Sequence, residues 1–389
     1  MQFITTALQV KIAEKTVSYH NTRRKTMNEK TILIGADIVP TEPNIALFES
    51  GEAEKILTGG LYEVFKSADY KIFNLECPLS DISEPILKSG PNLMASRASI
   101  NGYRAMGIDL LCLANNHTLD QGKAAFADTV ANLKENGFSY IGGGLTYEEV
   151  HKPHTFTLGG LKFGVINFCE HEFSWFEDYG IGANGFDPLY SLDEVSELKN
   201  ECDYVIALYH GGREHYRYPS PELSRICRRI AEKGADLVIC QHTHCVGAGE
   251  NWGSCEIIYG QGNTVFSREG VAECWDTSIL VRLSVKDGKV SLGFIPIERT
   301  DIGAKISDNP EILDGYKKRS EEIKKPGAIK EIYLNFVREN ADVAIGHLSY
   351  FSEATNKGTR RGAACRNIIN CSPHREMLVT YLTELHELK

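Results

Sequence analysis

Two histidines flank a threonine in Gln241-His242-Thr243-His244, directly after the apolar run Asp236-Leu237-Val238-Ile239-Cys240. Such a run reads as a buried strand, and imidazoles two residues apart at its end project from a loop into the same space. Neutral imidazole suits a first-row transition metal. Four further polar clusters also follow apolar runs: Asp37, Asn74-Leu75-Glu76, Asn115-Asn116-His117 and His210. In open α/β sheets, sites form at the carboxyl ends of strands. Five such ends would bring Asp37, Glu76, Asn116, His117, His210, His242 and His244 together. Carboxylate, amide oxygen and imidazole in this mixture fit Mn²⁺, Fe²⁺ or Zn²⁺. A carboxylate can bridge two such ions, and a pair ~3.5–4 Å apart activates water and clamps a phosphoryl-type substrate. Taken singly, each cluster has a plainer reading as a turn, a solvated loop carboxylate or a satisfied histidine. Jointly, five polar clusters at five strand ends are hard to produce by accident.

The elements that must position these residues are legible as alternating apolar runs and helical patterns from residue 31 to about 250. Strands are expected over Thr31–Ile34, Tyr70–Leu75, Asp109–Leu113, Lys162–Phe168, Asp203–Tyr209 and Asp236–Cys240. Helices are expected over Lys123–Asn136 and Pro221–Lys233, with Gly137 and Gly234 at the positions favouring a left-handed cap. Thr146-Tyr147-Glu148-Glu149 has the form of a capping box. Gly159-Gly160 and Asp287-Gly288 each separate two strand-like runs and predict hairpins. Antiparallel strands among parallel ones point to an α/β fold with two packed sheets flanked by helices. After about residue 300 the texture becomes helical, with expected helices over Ala328–Asn340 and Met377–Leu388 and Ser372-Pro373 as cap and first turn. The expected division is a leader over 1–26, a site-bearing domain over 27–300 and a helical extension over 301–389, which carries no evident catalytic cluster.

Composition narrows the function classes. The 389 residues carry a formal net charge of -10 and no basic stripe, which argues against a nucleic-acid partner. No apolar run approaches the ~20 residues that span a bilayer. Residues 1–26 hold five Lys/Arg and one Glu, without an apolar core and cleavage site. They read as a leader upstream of a start at Met27 rather than as a secretory signal. The expected location is therefore cytoplasmic or membrane-peripheral. Eleven scattered cysteines with no C-x-x-C pair suggest reduced, buried thiols and argue against a cysteine-rich zinc site.

Over residues 31–297 the motifs resemble the CapA/PgsA-type proteins of capsule and poly-γ-glutamate biosynthesis, within the calcineurin-like metallophosphoesterase superfamily. The segments that carry the resemblance are Gly-Ala-Asp-Ile-Val (35–39), Asn-Leu-Glu-Cys-Pro-Leu-Ser (74–80), Lys-Ser-Gly-Pro-Asn-Leu (88–93) and Leu-Ala-Asn-Asn-His-Thr-Leu-Asp-Gln-Gly (113–122). They continue in His-Gly-Gly-Arg-Glu (210–214), Gly-Ala-Asp-Leu-Val-Ile-Cys-Gln-His-Thr-His (234–244) and Gly-Gln-Gly-Asn-Thr-Val-Phe (260–266). The resemblance implies one or two divalent metals, with Glu76 in the place of the bridging carboxylate. It further implies that Asn116, His210 and His242 hold one ion, and Asp37 and His244 the other. His117 is implied to protonate the leaving oxygen. This chain departs from the superfamily pattern in having Val39 where histidine is usual, Glu76 for aspartate, and Gln241 for glycine.

Further residues are expected around these. Glu170 and Glu172, after an apolar strand, and Asn115, Asp120 and Asn263, inside the quoted segments, are expected behind the ligands or in the substrate wall. Glu214 could orient a ligand imidazole, and Lys88, Arg97 and Arg213 could bind an anionic substrate; for each of these the alternative is a solvated surface position. Two functions follow from different classes. One is a metal-dependent hydrolase acting on a phosphoester or γ-glutamyl amide in an anionic capsule-like polymer. The other is a non-enzymatic, metal-stabilised component of a capsule-synthesis complex, which the substitutions at 39 and 241 favour and the retention of His117 opposes.

Overall fold

The computed structural model describes residues 29–268, 270, 272–351 and 358–385. The leader expected over 1–26 and the start at Met27 lie outside the described residues, as does the end of the last expected helix. The strands that build the site are β1 (Lys30–Ile38), β2 (Tyr70–Leu75), β3 (Leu110–Cys112), β4 (Ser139–Ile141), β5 (His154–Leu158), β6 (Leu161–Cys169), β7 (Tyr204–His210) and β8 (Leu237–Gln241). They are followed by β9 (Gly249–Trp252), β10 (Cys255–Ile258), β11 (Thr277–Lys286), β12 (Lys289–Arg299) and β13 (Ala304–Ile306). One sheet runs β13-β12-β11-β1-β2-β3-β4, with the two-residue strand Leu57–Thr58 at its edge; the other runs β9-β10-β8-β7-β6-β5. In each, the strands that carry site residues are parallel neighbours: β1, β2 and β3 in the first, β6, β7 and β8 in the second.

Side-chain alternation along the strands builds the layers. Ile32 and Ile34 of β1, with Ile206 and Leu208 of β7 and Leu237 and Ile239 of β8, lie in the core between the sheets. Leu33 points the other way, into a core with Phe126, Val130 and Leu133 of helix α1 (Gly122–Glu135). Val205 and Val238 likewise face Val195 and Leu198 of α2 (Ser191–Glu201) and Leu223 and Ile230 of α3 (Pro221–Glu232). The result is helix, sheet, sheet, helix, the four-layer α/β fold expected from the alternation.

Local signals operate as their chemistry requires. Gly159-Gly160 and Asp287-Gly288 both adopt positive φ at the two central turn positions and close their hairpins. Thr146 accepts from the backbone N–H of Glu149, whose carboxylate reaches back to Leu145 N. Ser220 caps α3 ahead of Pro221.

Beyond residue 300 the chain first stays in the sheet, through β13 pairing with β12. It then forms α4 (Glu311–Ile323), α5 (Ala328–Glu339), α6 (Ala341–Phe351), α7 (Arg360–Asn370) and α8 (Ser372–Leu385). Ile312, Leu313 and Tyr316 of α4 enter the core between the sheets. Tyr333, Val337, Ala344 and Met377 of the later helices gather around Tyr216, in the loop after β7. The charged stretch at 317–325 had hidden α4, and α6 and α7 lack a clean apolar stripe in sequence.

Candidate metal centre and cleft

Strand register levels the functional residues. Asp37 pairs with Asn74 across β1 and β2, after an irregularity between Ile34 and Asp37. His210 stands level with Gln241 on β8 and Cys169 on β6. The residues that follow those neighbours, His242 and Glu170, therefore leave adjacent strand ends. Gln241 does not simply replace a turn glycine: its Nε2 donates to Gly35 O of the other sheet at 3.1 Å, tying the two carboxyl edges together. His242 and His244 both take positive φ, 83° and 55°. Non-glycine residues rarely hold that conformation outside functional turns.

Asp37, Glu76, Asn116, His117, His210, His242 and His244 are all buried. His210 Nε2 lies 3.0 Å from Asn116 Oδ1, 3.3 Å from Glu76 Oε1 and 3.2 Å from His242 Nδ1. One ring nitrogen carries at most one hydrogen, so these lone pairs converge beyond what a hydrogen bond can satisfy. Neither oxygen of Glu76 accepts a hydrogen bond, although the side chain is fully buried. Glu76 also stands with Asp37 and His244, ligand atoms within 4.8 Å of one another, as they are in the Glu76, His210 and His242 group. His244 Nδ1 is 3.5 Å from Asp37 Oδ2 and 2.8 Å from Asn263 Oδ1. Two groups that share a carboxylate, with orphaned buried oxygens, have the donor chemistry to hold divalent metal.

The protonation states are those of a metal-free cluster. Burial and the charge of Asp37 push Glu76 up to about 8. Burial pushes His210 and His242 down to about 4, so both are neutral at pH 7. Burial works against charge on His244 as well, but its hydrogen bond to Asp37 and the charges of Glu76 and Asp37 win and raise it to about 9. Burial also opposes charge on Glu214, and the neighbouring His242 and His244 hold it down at about 2.

His117 belongs to neither group. Its Nδ1 lies 2.6 Å from Asp120 Oδ2, leaving Nε2 free of that partner in a ring that lines the cleft. Asp120 Oδ1 accepts from Lys88 Nζ at 2.5 Å. Lys88 thus lines the cleft beside His117 as a buried cation paired with Asp120. Arg97 does not line the cleft; its guanidinium is held by Asp128 and Glu135 on α1. Asn115 ties the loop between β3 and α1 to the end of β2 by donating to Asn74 Oδ1 and Leu75 O at 3.1 and 2.8 Å, while its own Oδ1 accepts from His117 N. Arg213, Glu214, Glu170 and Glu172 line the cleft beside His242. Val39 is buried in the apolar core and carries no donor atom, so position 39 offers no ligand.

Sequence reasoning missed the residues that close the cleft from the far end of the chain. Asn367 of α7, Cys371 at the α7–α8 joint and His374 of α8 all line it. Asn367 Nδ2 donates to Glu172 Oε1 at 2.8 Å, and Arg213 Nη1 to His374 Nδ1 at 3.0 Å. The local signal was the run Asn370-Cys371-Ser372-Pro373-His374, a thiol and an imidazole at a helix start.

The bacterial capsule synthesis protein family PGA_cap matches residues 31–268, more than half of the chain and all of the strands that supply the two groups. The chain belongs to this family. It is 26% identical over 246 residues to the capsule biosynthesis protein CapA of Bacillus anthracis, covering 60% of this chain and 58% of that one. It is 23% identical over 239 residues to the PGA biosynthesis protein CapA of Bacillus subtilis, covering 60% and 63%. The chain thus matches less than two thirds of the length of either relative. It also aligns with a 5'-nucleotidase from Candida albicans at 11% identity and a TM-score of 0.38, over 82% of this chain and 58% of that one, a likeness too distant to bear on function. The motifs quoted from the sequence fall inside the family match. The helices from α4 onward, with Asn367, Cys371 and His374, lie outside it.

Proposed function

We propose that the protein is a metal-dependent hydrolase acting on an anionic capsule-like polymer or its precursor, at a phosphoester or γ-glutamyl amide bond. The observation that carries this is the convergence of Asn116, His210 and His242 on the buried Glu76 carboxylate, neither of whose oxygens has a hydrogen-bond partner, beside an imidazole held by Asp120 outside both groups. Glu76, Asn116, His210 and His242 would hold one divalent ion, Mn²⁺, Fe²⁺ or Zn²⁺, and Asp37, Glu76 and His244 a second. Such ions supply Lewis-acid activation of water and of the scissile group. Asp120 holds the His117 ring through Nδ1, so Nε2 is the atom that would deliver a proton to the leaving group. Asn115 sets the loop that carries both Asn116 and His117. Arg213 offers the substrate a cation beside the carboxylates of Glu172 and Glu214. We take the site-bearing body to extend beyond residue 300 through α4, which enters the core between the sheets, with α7 and α8 walling the cleft.

A second reading, a non-catalytic metal-stabilised component of a polymer-synthesis complex, is favoured by Val39, whose burial in the apolar core leaves the second position one ligand short. Metal analysis with kinetics separates the two. His117→Ala should lower turnover about 10²–10⁴-fold with metal content intact, whereas His242→Ala should lose metal and activity together. Metal loss in His117→Ala would refute its role as a proton donor. Failure of the metal-loaded wild type to hydrolyse either phosphoesters or γ-glutamyl peptides would favour the second reading.

A further inference from the structure

The cleft holds a set of metal donors that the two central groups do not use. Glu170 and Glu172 follow β6, and Cys371 and His374 sit at the α7–α8 joint. Ligand atoms of Glu172, Cys371 and His374 lie within 4.8 Å of one another, as do those of Glu170, Glu172 and His242. Cys371 Sγ is 3.7 Å from Glu170 Oε1, and His242 Nε2 is 3.5 Å from the same oxygen. Four donors around one dication at ~2.0–2.3 Å stand roughly 3.3–3.8 Å apart, so the observed spacing needs only a small contraction. The surroundings are dry: Glu170, Glu172 and Cys371 are buried, and only His374 reaches partial exposure. A second observation points to a ligand. Asn367 is 5% exposed and lines this cavity; its Nδ2 is spent on Glu172, and its Oδ1 is buried with no partner.

We propose that Glu172, Cys371 and His374, with Glu170 alongside, form a further divalent-metal site distinct from the Glu76-centred groups. Thiolate, imidazole and carboxylate together select a borderline ion such as Zn²⁺ over Mg²⁺ or Ca²⁺. Loading has a defined local cost. Arg213 Nη1 lies 3.0 Å from His374 Nδ1, so that nitrogen is the acceptor and Nε2 carries the proton. Binding through Nδ1 displaces the guanidinium, and binding through Nε2 moves the ring proton to Nδ1 and displaces it as well; the Cys371 thiol proton is released to solvent. Two ligands come from the family-matched body and two from the helices beyond it, so the ion would fasten α7 and α8 over the cleft. His242 links the two centres, with Nδ1 toward His210 and Nε2 toward Glu170 and Glu172.

The test uses the full chain, stripped of metal and titrated with Co²⁺. The expected result is a near-ultraviolet thiolate-to-cobalt charge-transfer band that saturates, disappears in Cys371→Ser, and persists in Asp37→Ala, which disturbs only the central groups. Wild type showing no such band, or the band surviving in Cys371→Ser, overturns the proposal. Elemental analysis gives the second arm: His374→Gln should bind one Zn²⁺ fewer per chain than wild type. Unchanged content there overturns the proposal even if Cys371→Ser fails to fold. Loss of central metal in Asp37→Ala bears on the hydrolase reading alone, so the two proposals fail separately.

Discussion

Glu76 stands inside a fully buried cluster with both oxygens free of hydrogen bonds, and that isolation sets its titration as well as its chemistry. A carboxyl raised to about 8 and an imidazole at His244 raised to about 9 both hold protons at pH 7. His210 and His242, at about 4, do not. Ligands must shed protons before they can bind a cation. Loading the Glu76-centred cluster at pH 7 should therefore release about two protons, with release fading above about pH 9 and apparent affinity climbing through the same window. Calorimetry in two buffers of different ionisation enthalpy measures this directly. Release near zero at pH 7 would remove Glu76 and His244 from the ligand set. At the same scale, Asp120→Asn should leave metal in place and lower turnover, because the amide still fills the space but no longer fixes His117 with a charge. Metal loss in that variant would show that Asp120 acts on the ligands and not on His117.

Among the elements, the short helix Tyr147–His151 offers a sharp electrostatic test away from the cleft. His151 closes its last turn with Nδ1 2.7 Å from Glu194 and Nε2 3.4 Å from Glu177. Burial alone would lower its pKa, but the carboxylates of Glu177 and Glu194, accepting from the ring, outweigh it and raise the group to about 9. A group raised in the folded state stabilises fully below its unfolded value of about 6.5 and loses that contribution as pH rises through about 9. His151→Gln should thus show its largest melting deficit between about pH 5 and 6.5, with the deficit shrinking to nothing above about pH 9. A deficit that is flat with pH would mean that packing, not charge, holds this helix end. The strand ends illustrate a different lesson of element scale. Asp37, Glu76, Asn116, His210 and His242 were identifiable because each follows an apolar strand of predictable length. Lys88 lines the cleft but is paired with Asp120, and Arg97 pairs with Asp128 and Glu135 away from it; a basic side chain in a loop reads alike in sequence whether it faces substrate or an internal carboxylate.

For the molecule as a whole, the core between the sheets and the cluster around Tyr216 should behave differently. Ile239 is fully buried between the sheets, and Ile239→Ala should destabilise the whole fold by about 2–5 kcal/mol. Met377 is equally buried, but among Tyr216, Tyr333, Val337 and Ala344 at the edge of the body. Met377→Ala should cost a similar ~2–5 kcal/mol locally. Hydrogen exchange should accelerate across α7 and α8 while β1 and β7 stay protected. Uniform acceleration throughout would show that the late helices unfold only with the sheets. Among the described residues, no helix is long and apolar enough to cross a membrane.

The chain by itself determined the strands, the hairpins and the metal-ligand candidates, because each rests on short-range pattern. A buried strand must be apolar, a two-residue hairpin needs positive φ, and the residue after a parallel strand falls at the site edge. Sequence also carried the family, through motifs contained within residues 31–268. What it left undecided depended on contacts between distant segments. Nothing near Asp120 says that Lys88, 32 residues earlier, would neutralise it. Nothing near Glu172 says that Asn367, 195 residues later, would donate to it. Nothing near Val39 says that it would be buried in the same apolar core as its neighbour Ile38. Which side chains face one another across the cleft is set by how the sheets and late helices pack, and packing is a property of the whole chain that no local window contains.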